Sequence, residues 1–196
     1  MLLIALCVKV YDGGPVFYRQ ERLTFMGKTF MIYKFRSMCV DSEKNGARLA
    51  SKHDSRITPV GEVIRKLRID ELPQLINILK GEMSLVGPRP ERIEHVQLYS
   101  ESIPEFSYRL KVKGGLTGYA QVYGKYNTTA YDKLKMDLMY IQNYSLLLDI
   151  EILFKTVKIL FEKERTEGFS DEVSAAMEYK TIDYASEEGK EDERKY

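Results

Sequence analysis

The segment from residue 69 to residue 91, IDELPQLINILKGEMSLVGPRPE, constrains the local fold more than any other part of this chain. Four apolar side chains recur in it at helical spacing: Leu72, Leu75, Ile76 and Leu79. They predict a helix over about residues 71–80, with Gly81 as its natural end. Asp70 is a favoured helix-capping residue, and Pro73 is tolerated in a first helical turn. The pattern therefore predicts a short capped helix, followed by an extended loop that its prolines stiffen.

Two carboxylates, Asp70 and Glu71, stand together at the start of this predicted helix. A helix N-terminus carries about half a positive charge and favours the ionised carboxylate that a nucleophile needs. Arg65 precedes the acids, and Arg89 follows them with its backbone restricted by Pro90. Arginine matches phosphate oxygens, and Mg²⁺ is typically held by one or two carboxylates plus substrate phosphates. From these residues alone, a capped helix and a site for phosphoryl-type chemistry both remain open.

A β-hairpin is predicted near the start of the chain. Residues 15–22 and 29–38 are rich in strand-forming side chains, and Gly27 lies in the short connection between them. Lys34 and Arg36 fall on the same face of the second strand, about 6.6 Å apart along it. This pair is interpreted either as part of a solvated face or as a grip for a diphosphate.

The rest of the chain is mostly helical in pattern, so the predicted fold class is mixed α/β with more helix than strand. Helices are expected in three regions: 61–68, 91–112 with a break at Pro104, and 130–163. Residues 41–58 are expected to form a loop or a mobile helix, and residues 115–124 a glycine-rich loop. The last helix carries an apolar stripe, for which a core-facing side is expected and a membrane-surface side is the alternative. The stripe consists of Leu134, Leu138, Ile141, Ile150, Leu153, Phe154, Val157 and Leu160.

The distribution of charge limits the partners. Nine acidic and four basic side chains lie in residues 171–196, so residues 1–170 carry a net charge of +6 in a chain whose net charge is +1. A basic body suits an anionic partner, but a total near zero and the lack of a recognised motif argue against nucleic acid. Cys7 and Cys39 lack metal-ligand spacing, and two histidines are too few to favour a His-based metal site.

The first ten residues, MLLIALCVKV, are apolar but too few for a bilayer span, which takes about 20 residues. They lack the basic start and the cleavage site of a signal peptide. They are interpreted either as a buried core segment or as the end of a longer membrane-embedded segment.

Several segments occur in an order that resembles one known family: PVFYRQER, GKTFMIYKFRSM, DSRIT, DELPQLINILKGEMSLVGPRPE, GLTGYAQVYG and YSLLLDIEIL. That family is the bacterial sugar transferases, monotopic phosphoglycosyl transferases that act on polyprenyl phosphate, and the likeness covers roughly residues 2–165. It implies an enzyme that moves a sugar 1-phosphate from a UDP-sugar to polyprenyl (undecaprenyl) phosphate. A covalent aspartyl phosphosugar intermediate, release of UMP and a requirement for Mg²⁺ are implied with it. The product would be the first lipid-linked intermediate of capsule, exopolysaccharide or O-antigen synthesis.

The resemblance implies roles for particular residues. Asp70 would be the nucleophile, Glu71 would assist it, and both would bind the metal. The phosphates of the substrates would be held by four basic residues: Lys34, Arg36, Arg65 and Arg89. Thr117 and Gln121 would lie near the nucleotide. The family usually has a serine or threonine near Arg68, and Arg68 beside the site would bear on substrate preference.

The resemblance also implies how the chain is organised. Residues 1–14 are expected to be the remnant of a re-entrant membrane helix, residues 15–168 a catalytic domain at the membrane interface, and residues 169–196 an acidic, mobile tail. The expected location is the bacterial inner (cytoplasmic) membrane, with the catalytic domain on its cytoplasmic face. Expected partners are the UDP-sugar, polyprenyl phosphate, the membrane and a second copy in a homodimer. Because the re-entrant helix is expected to be truncated, a catalytically idle membrane-surface fragment is the alternative function.

Overall fold

A computed structural model of the protein describes residues 1–42, 54–124 and 128–160. The part of the chain so described contains seven α-helices and four short strands, which form two two-stranded sheets. The predicted mixed α/β class with more helix than strand is therefore confirmed. The expected loop at 41–58 lies largely outside the described residues, and the tail at 169–196 lies wholly outside them.

Helix α1 (Leu2–Asp12) opens the chain and ends at Gly13, whose φ of 71° is the left-handed conformation that glycine adopts readily. Its inner side contributes Val8 to a small core with Phe35 and Ile64. Its outer side leaves large apolar side chains exposed: Leu2, Leu3, Leu6, Val10 and Tyr11. Within the described residues, no helix has the length and apolar character that a membrane crossing requires.

Strands β1 (Phe17–Leu23) and β2 (Thr29–Phe35) form the predicted hairpin, with an antiparallel register from Phe17 opposite Phe35 to Leu23 opposite Thr29. The connection is a short 3₁₀ turn in which Met26 and Gly27 both have positive φ. Strand β2 ends at Phe35, earlier than expected, although the Arg36 N–H still donates to the Val16 carbonyl at 3.0 Å.

Helix α2 (Pro59–Lys66) begins with a cap in which the Thr58 hydroxyl accepts a hydrogen bond from the Gly61 N–H at 2.9 Å. A 3₁₀ turn, Ile69–Glu71, and helix α3 (Gln74–Leu79) follow. The predicted helix start at residue 71 is wrong, and Asp70 does not cap α3. Arg68 adopts a left-handed conformation with φ of 53°, which turns the chain and puts the two acids into the separate 3₁₀ turn.

Strands β3 (Ser84–Val86) and β4 (Gly115–Thr117) pair in parallel, and helix α5 (Tyr119–Tyr123) follows β4. The predicted glycine-rich loop at 115–124 is therefore a strand and a helix. The glycines are needed for close backbone approach. A Cβ atom on Gly115 would lie 2.2 Å from the Gly87 nitrogen, and one on Gly118 would lie 2.1 Å from the Gly87 oxygen.

Helix α4 (Ile93–Ser102) and the 3₁₀ segment Pro104–Lys111 confirm the expected break at Pro104. The predicted helix at 130–163 is instead two helices, α6 (Ala130–Asn143) and α7 (Leu146–Leu160). The break falls at Tyr144, whose ψ of 133° is not helical. The chain restarts as a helix because the Ser145 hydroxyl accepts a hydrogen bond from the Leu148 N–H at 3.3 Å.

The apolar stripe of this region divides between core and surface. Leu134 of α6 is buried beside Val96 and Phe106, as expected. On α7 the residue that enters the core is Ile152, which is 0% exposed and packs with Val86 and Tyr140. The expected core-facing side of α7 is wrong, since its members are exposed: Ile150, Leu153, Phe154, Val157 and Leu160.

Candidate functional site

The acid pair lies where three elements meet. Asp70 and Glu71 occupy the 3₁₀ turn between α2 and α3. Glu71 Oε1 accepts a hydrogen bond from Lys34 Nζ at 2.8 Å and another from Arg89 Nη2 at 2.7 Å. Lys34 comes from the end of β2, and Arg89 follows β3 in the sequence Gly-Pro-Arg-Pro. The Glu71 carboxylate thus links the hairpin to the segment that follows β3.

The charges around Glu71 compensate one another. Burial alone would raise the pKa of the Glu71 carboxyl, but Arg89 and Lys34 outweigh it and hold that pKa well below its usual range. The same contact raises the pKa of Arg89. Burial lowers the pKa of Lys34, and Glu71 offsets only part of that effect. Glu71 is therefore a fixed anion whose role is to hold two cations beside the acid pair.

Asp70 is placed differently from its neighbour. Burial and the adjacent Glu71 raise its pKa, while Lys34, Arg65 and Arg89 oppose that rise. Among the residues that the structure describes, none donates a hydrogen bond to the Asp70 carboxylate. The expectation that a helix end keeps Asp70 ionised is wrong, because Asp70 lies in the 3₁₀ turn before α3 and not at the N-terminus of that helix. A more basic carboxylate without hydrogen-bond partners is suited to donating an electron pair.

The basic residues predicted for the site are only partly brought together. Arg65, in the last turn of α2, lies near enough to Asp70 to lower its pKa. Arg36 lies apart from the acid pair: its guanidinium forms an ion pair with Asp12 and donates to the Val8 carbonyl at 3.4 Å. Arg36 therefore fastens α1 to the hairpin, whereas Lys34 contacts Glu71.

Thr117 and Gln121 make contacts within their own part of the fold. The Thr117 hydroxyl lies 2.7 Å from the hydroxyl of Thr156 on α7. Gln121 Nε2 donates to the Leu116 carbonyl at 3.2 Å. Neither side chain is in contact with the acid pair through these bonds, and the assignment of both residues to nucleotide binding stays a prediction.

A group of ionic side chains behind Arg89 was not predicted from the sequence. Arg109 is 5% exposed and donates from Nη2 to the Arg89 carbonyl at 3.0 Å. Its guanidinium also lies 2.7 Å from Asp137 Oδ2 and 3.5 Å from Glu91 Oε1. A signal for Asp137 was present in the sequence, because an acid three residues after Leu134 falls on the buried side of α6.

The acid pair is also the part of the site that could bind a metal ion. The described residues contain no group of three His, Cys, Asp or Glu side chains that could hold an ion. Two carboxylates remain, Asp70 and Glu71, and a Mg²⁺ site commonly has one or two carboxylates and takes its other ligands from substrate phosphates and water. The Asp70 carboxylate accepts no hydrogen bond from the described residues, so its oxygens are available to a cation. The residues therefore fit a divalent cation that arrives with a phosphate ligand.

Comparisons with known proteins agree on one family. The family described as "Bacterial sugar transferase" matches residues 1–163. The chain is 48% identical over 163 residues to the UDP-N-acetylgalactosamine-undecaprenyl-phosphate N-acetylgalactosaminephosphotransferase of Aeromonas hydrophila, covering 82% of this chain and 38% of that protein. It is 42% identical over 162 residues to the UDP-glucose:undecaprenyl-phosphate glucose-1-phosphate transferase of Klebsiella pneumoniae, covering 80% and 35% respectively.

A shorter relative matches along more of its length. The sugar transferase EpsL of Bacillus subtilis (strain 168) is 42% identical over 157 residues, covering 80% of this chain and 75% of that protein. The chain thus spans well under half of the first two relatives and three quarters of this one.

Proposed function

This chain belongs to the bacterial sugar transferase family, and from that premise we propose that it transfers a sugar 1-phosphate from a UDP-sugar to undecaprenyl phosphate. The names of its relatives support both substrates, since they are UDP-sugar and undecaprenyl-phosphate transferases. The site supports the chemistry, since it combines an acid pair with cations suited to phosphate. The observation that carries the proposal is that Glu71 holds both Lys34 and Arg89, while Asp70 beside it accepts no hydrogen bond from any residue in the described ranges.

In the proposed first step, an Asp70 carboxylate oxygen attacks the phosphorus that bears the sugar. The bond from that phosphorus to the oxygen bridging the two phosphates breaks, and UMP leaves with the bonding electrons. The sugar phosphate is then joined to Asp70 as an acyl phosphate. Lys34 and Arg89 lie beside the attacking acid, so they are suited to holding the oxygens on which charge collects. Arg65 adds a third positive charge near Asp70.

In the proposed second step, a phosphate oxygen of undecaprenyl phosphate attacks the same phosphorus. The bond between phosphorus and the Asp70 oxygen breaks, and the carboxylate is restored. No proton has to be moved in either step, because the nucleophiles and leaving groups are all anionic oxygens. Mg²⁺ bound by Asp70, Glu71 and the substrate phosphates would supply further positive charge for these anions.

We also propose contact with the cytoplasmic face of a bacterial inner membrane, where the lipid substrate resides. The exposed apolar side of α7 supports it, since Phe154 is 74% exposed and Val157 54% exposed. The outer side of α1, which includes Leu2 and Leu3, adds a second apolar surface. An amphipathic helix that lies on the interface buries such a side among the lipid head groups.

The experiment is a two-stage assay on the purified chain. UDP-sugars of different kinds are supplied with Mg²⁺, and UMP release and the intact protein mass are measured. Undecaprenyl phosphate in detergent is then added, and the lipid product is quantified. We expect UMP release, a protein mass increased by one phosphosugar, and loss of that mass once the lipid is added. A protein that releases no UMP and gains no mass with any donor would instead be the catalytically idle fragment.

A further inference from the structure

The backbone from Pro88 to Glu91 is held at every carbonyl. The Pro88 carbonyl accepts from the Gly115 N–H at 2.8 Å, and the Glu91 carbonyl accepts from the Leu23 N–H at 3.1 Å. Between them, the Arg89 carbonyl accepts from Arg109 Nη2 at 3.0 Å and the Pro90 carbonyl accepts from Arg22 Nη1 at 3.3 Å. Prolines have no N–H, so carbonyls are the main groups through which this backbone can be fixed.

The two arginines that donate these bonds are themselves fixed by two acids, Asp137, which is buried, and Glu91, which is partly buried. Arg109 Nη2 lies 2.7 Å from Asp137 Oδ2, and Asp137 is 1% exposed. Glu91 lies between the two arginines, with Oε1 3.5 Å from Arg109 and Oε2 4.0 Å from Arg22. Burying several charges is expensive, and such ion pairs often contribute little net stability. Together the two arginines hold the carbonyls of Arg89 and Pro90, and Arg89 is the residue that contacts Glu71.

We propose that Arg22 and Arg109 form a carbonyl clamp that sets the direction of the Arg89 side chain. The clamp consists of these two arginines together with Glu91 and Asp137, which orient them. Its members are positioning residues, because their hydrogen bonds reach the backbone of Arg89 and Pro90, and it is the Arg89 side chain that contacts Glu71. The proposal rests on the proposed transferase function for its effect on rate, while the effect on the Arg89 side chain stands without it.

A double-mutant cycle tests the effect on rate. Arg109→Lys keeps the charge but cannot bridge Asp137, Glu91 and the Arg89 carbonyl together. We expect UMP release to slow about tenfold in Arg109→Lys, as for a catalytic group displaced by a fraction of an ångström. In an Arg89→Lys background the same change should cost less than about twofold, since a clamp acts only through Arg89. Equal losses in both backgrounds would mean that Arg109 is merely structural.

Two further variants extend the test beyond Arg109. Arg22→Lys is the second test, because Arg22 is less buried than Arg109 and its loss frees only the Pro90 carbonyl. The matched control is Arg56→Lys, because Arg56 is also held by an acid, Asp54, through a 2.6 Å contact that involves no part of the clamp. Thermal unfolding of each variant shows that it is folded. We expect the control to release UMP at the wild-type rate.

Chemical labelling of Arg89 tests the clamp independently of the proposed activity. Phenylglyoxal modifies exposed guanidinium groups, and mass spectrometry of digested protein gives the labelling rate of Arg89. We expect that rate to rise about threefold or more in Arg109→Lys and in Arg22→Lys, because the loosened segment exposes the guanidinium more often. Arg56→Lys should leave it unchanged. Unaltered Arg89 labelling in both clamp variants would overturn the clamp, whereas a wild-type chain without UMP release would overturn only the transferase proposal.

Discussion

Two neighbouring acids have opposite surroundings at the scale of single residues. Glu71 takes hydrogen bonds from Lys34 and Arg89, and its pKa is held well below the usual range by those cations against the effect of burial. Asp70 has its pKa raised by burial and by Glu71 itself. Environments that drive two acids apart in this way commonly assign them different roles in one reaction. Glu71 is suited to hold cations, and Asp70 to form a bond.

The first prediction concerns Asp70→Asn. An amide cannot attack phosphorus, so UMP release should fall by at least about a thousandfold, and no phosphosugar should be found on the protein. Asp70 caps no helix, so the unfolding temperature should change little. Intact-mass measurement after mixing with a UDP-sugar checks the first point, and Asp132→Asn on α6 is the matched control. Full activity in Asp70→Asn would sink the nucleophile assignment.

The second prediction concerns Arg89→Lys. Lysine keeps the charge but loses the forked guanidinium, which contacts Glu71 and in the proposed reaction would also hold a phosphate. Transition-state stabilisation should fall by about 1.5–3 kcal/mol, the scale of a hydrogen bond to a charged group. The measurement is kcat/KM for the UDP-sugar, with Arg19→Lys on β1 as the control. Unchanged kinetics would show that the Pro-Arg-Pro segment is structural only.

Helix α7 shows how one element can serve two surfaces. Ile152 is completely buried against Val86 and Tyr140, whereas Phe154, two residues later, is 74% exposed. One side of the helix thus belongs to the core, and the opposite side offers apolar area to something outside the chain. Stability and surface binding can therefore be changed separately along the same helix.

The third prediction uses that separation. Ile152→Ala should lower the free energy of unfolding by about 2–4 kcal/mol, because it leaves a cavity in a closed core. Phe154→Ala should change it by less than about 0.5 kcal/mol, yet weaken binding to vesicles of anionic phospholipid. Urea unfolding and co-sedimentation with vesicles measure the two effects. Wild-type vesicle binding in Phe154→Ala would argue against α7 as a membrane contact.

An element could be predicted from the sequence where the contacts that form it lie close together along the chain. The hairpin has local periodicity and a local turn residue, so its sequence suffices to predict it. Helix α2, expected over 61–68, is present but begins at Pro59, because the Thr58 hydroxyl caps it. The start of α3 could not be predicted, because the left-handed turn at Arg68 overrides the capping pattern at Asp70. Strands β3 and β4 have three residues each, too few to show a period, and they pair across a long stretch of chain.

The site divides in the same way. The acid pair and Arg89 stand out in the sequence because their residue types and spacing are local features. The contact of Arg109 with the Arg89 carbonyl depends on tertiary packing alone, and no periodicity reveals it. Strand alternation places Lys34 and Arg36 together, but Arg36 instead contacts Asp12 and the Val8 carbonyl of α1, and these tertiary contacts have no local signal.

The whole molecule carries buried charge whose effects on stability depend on pH in opposite directions. Burial raises the pKa of Asp137 to about 6, against the opposing effect of Arg109. For Glu91, burial is outweighed by the hydrogen bond to His95 and by Arg109, which bring its pKa to about 2. A folded state that binds a proton more readily than the unfolded chain gains stability on acidification, and the reverse holds for Glu91.

The fourth prediction follows from these signs. Between pH 6 and the ordinary value of 3.8, the folded protein binds more protons at Asp137 than the unfolded chain does. The stability of the wild type relative to Asp137→Asn should therefore increase as the pH falls from 7 to 4. Urea unfolding across that range is the measurement.

Glu91→Gln supplies a comparison of opposite sign. The stability that Glu91 contributes is present above pH 4.5 and is lost as the pH falls towards 2. A constant difference between wild type and Asp137→Asn over pH 4–7 would contradict the raised pKa of Asp137.

The order in which the site residues occur along the chain has a consequence for synthesis. A ribosome delivers Lys34, Glu71 and Arg89 before Arg109, and Asp137 on α6 last of these. Until α6 leaves the exit tunnel, Arg109 has no Asp137 carboxylate to hold it against the Arg89 carbonyl. Contacts between distant parts of a chain form slowly and late. A nascent chain should therefore carry its acid pair well before the clamp can fix the Arg89 side chain beside it.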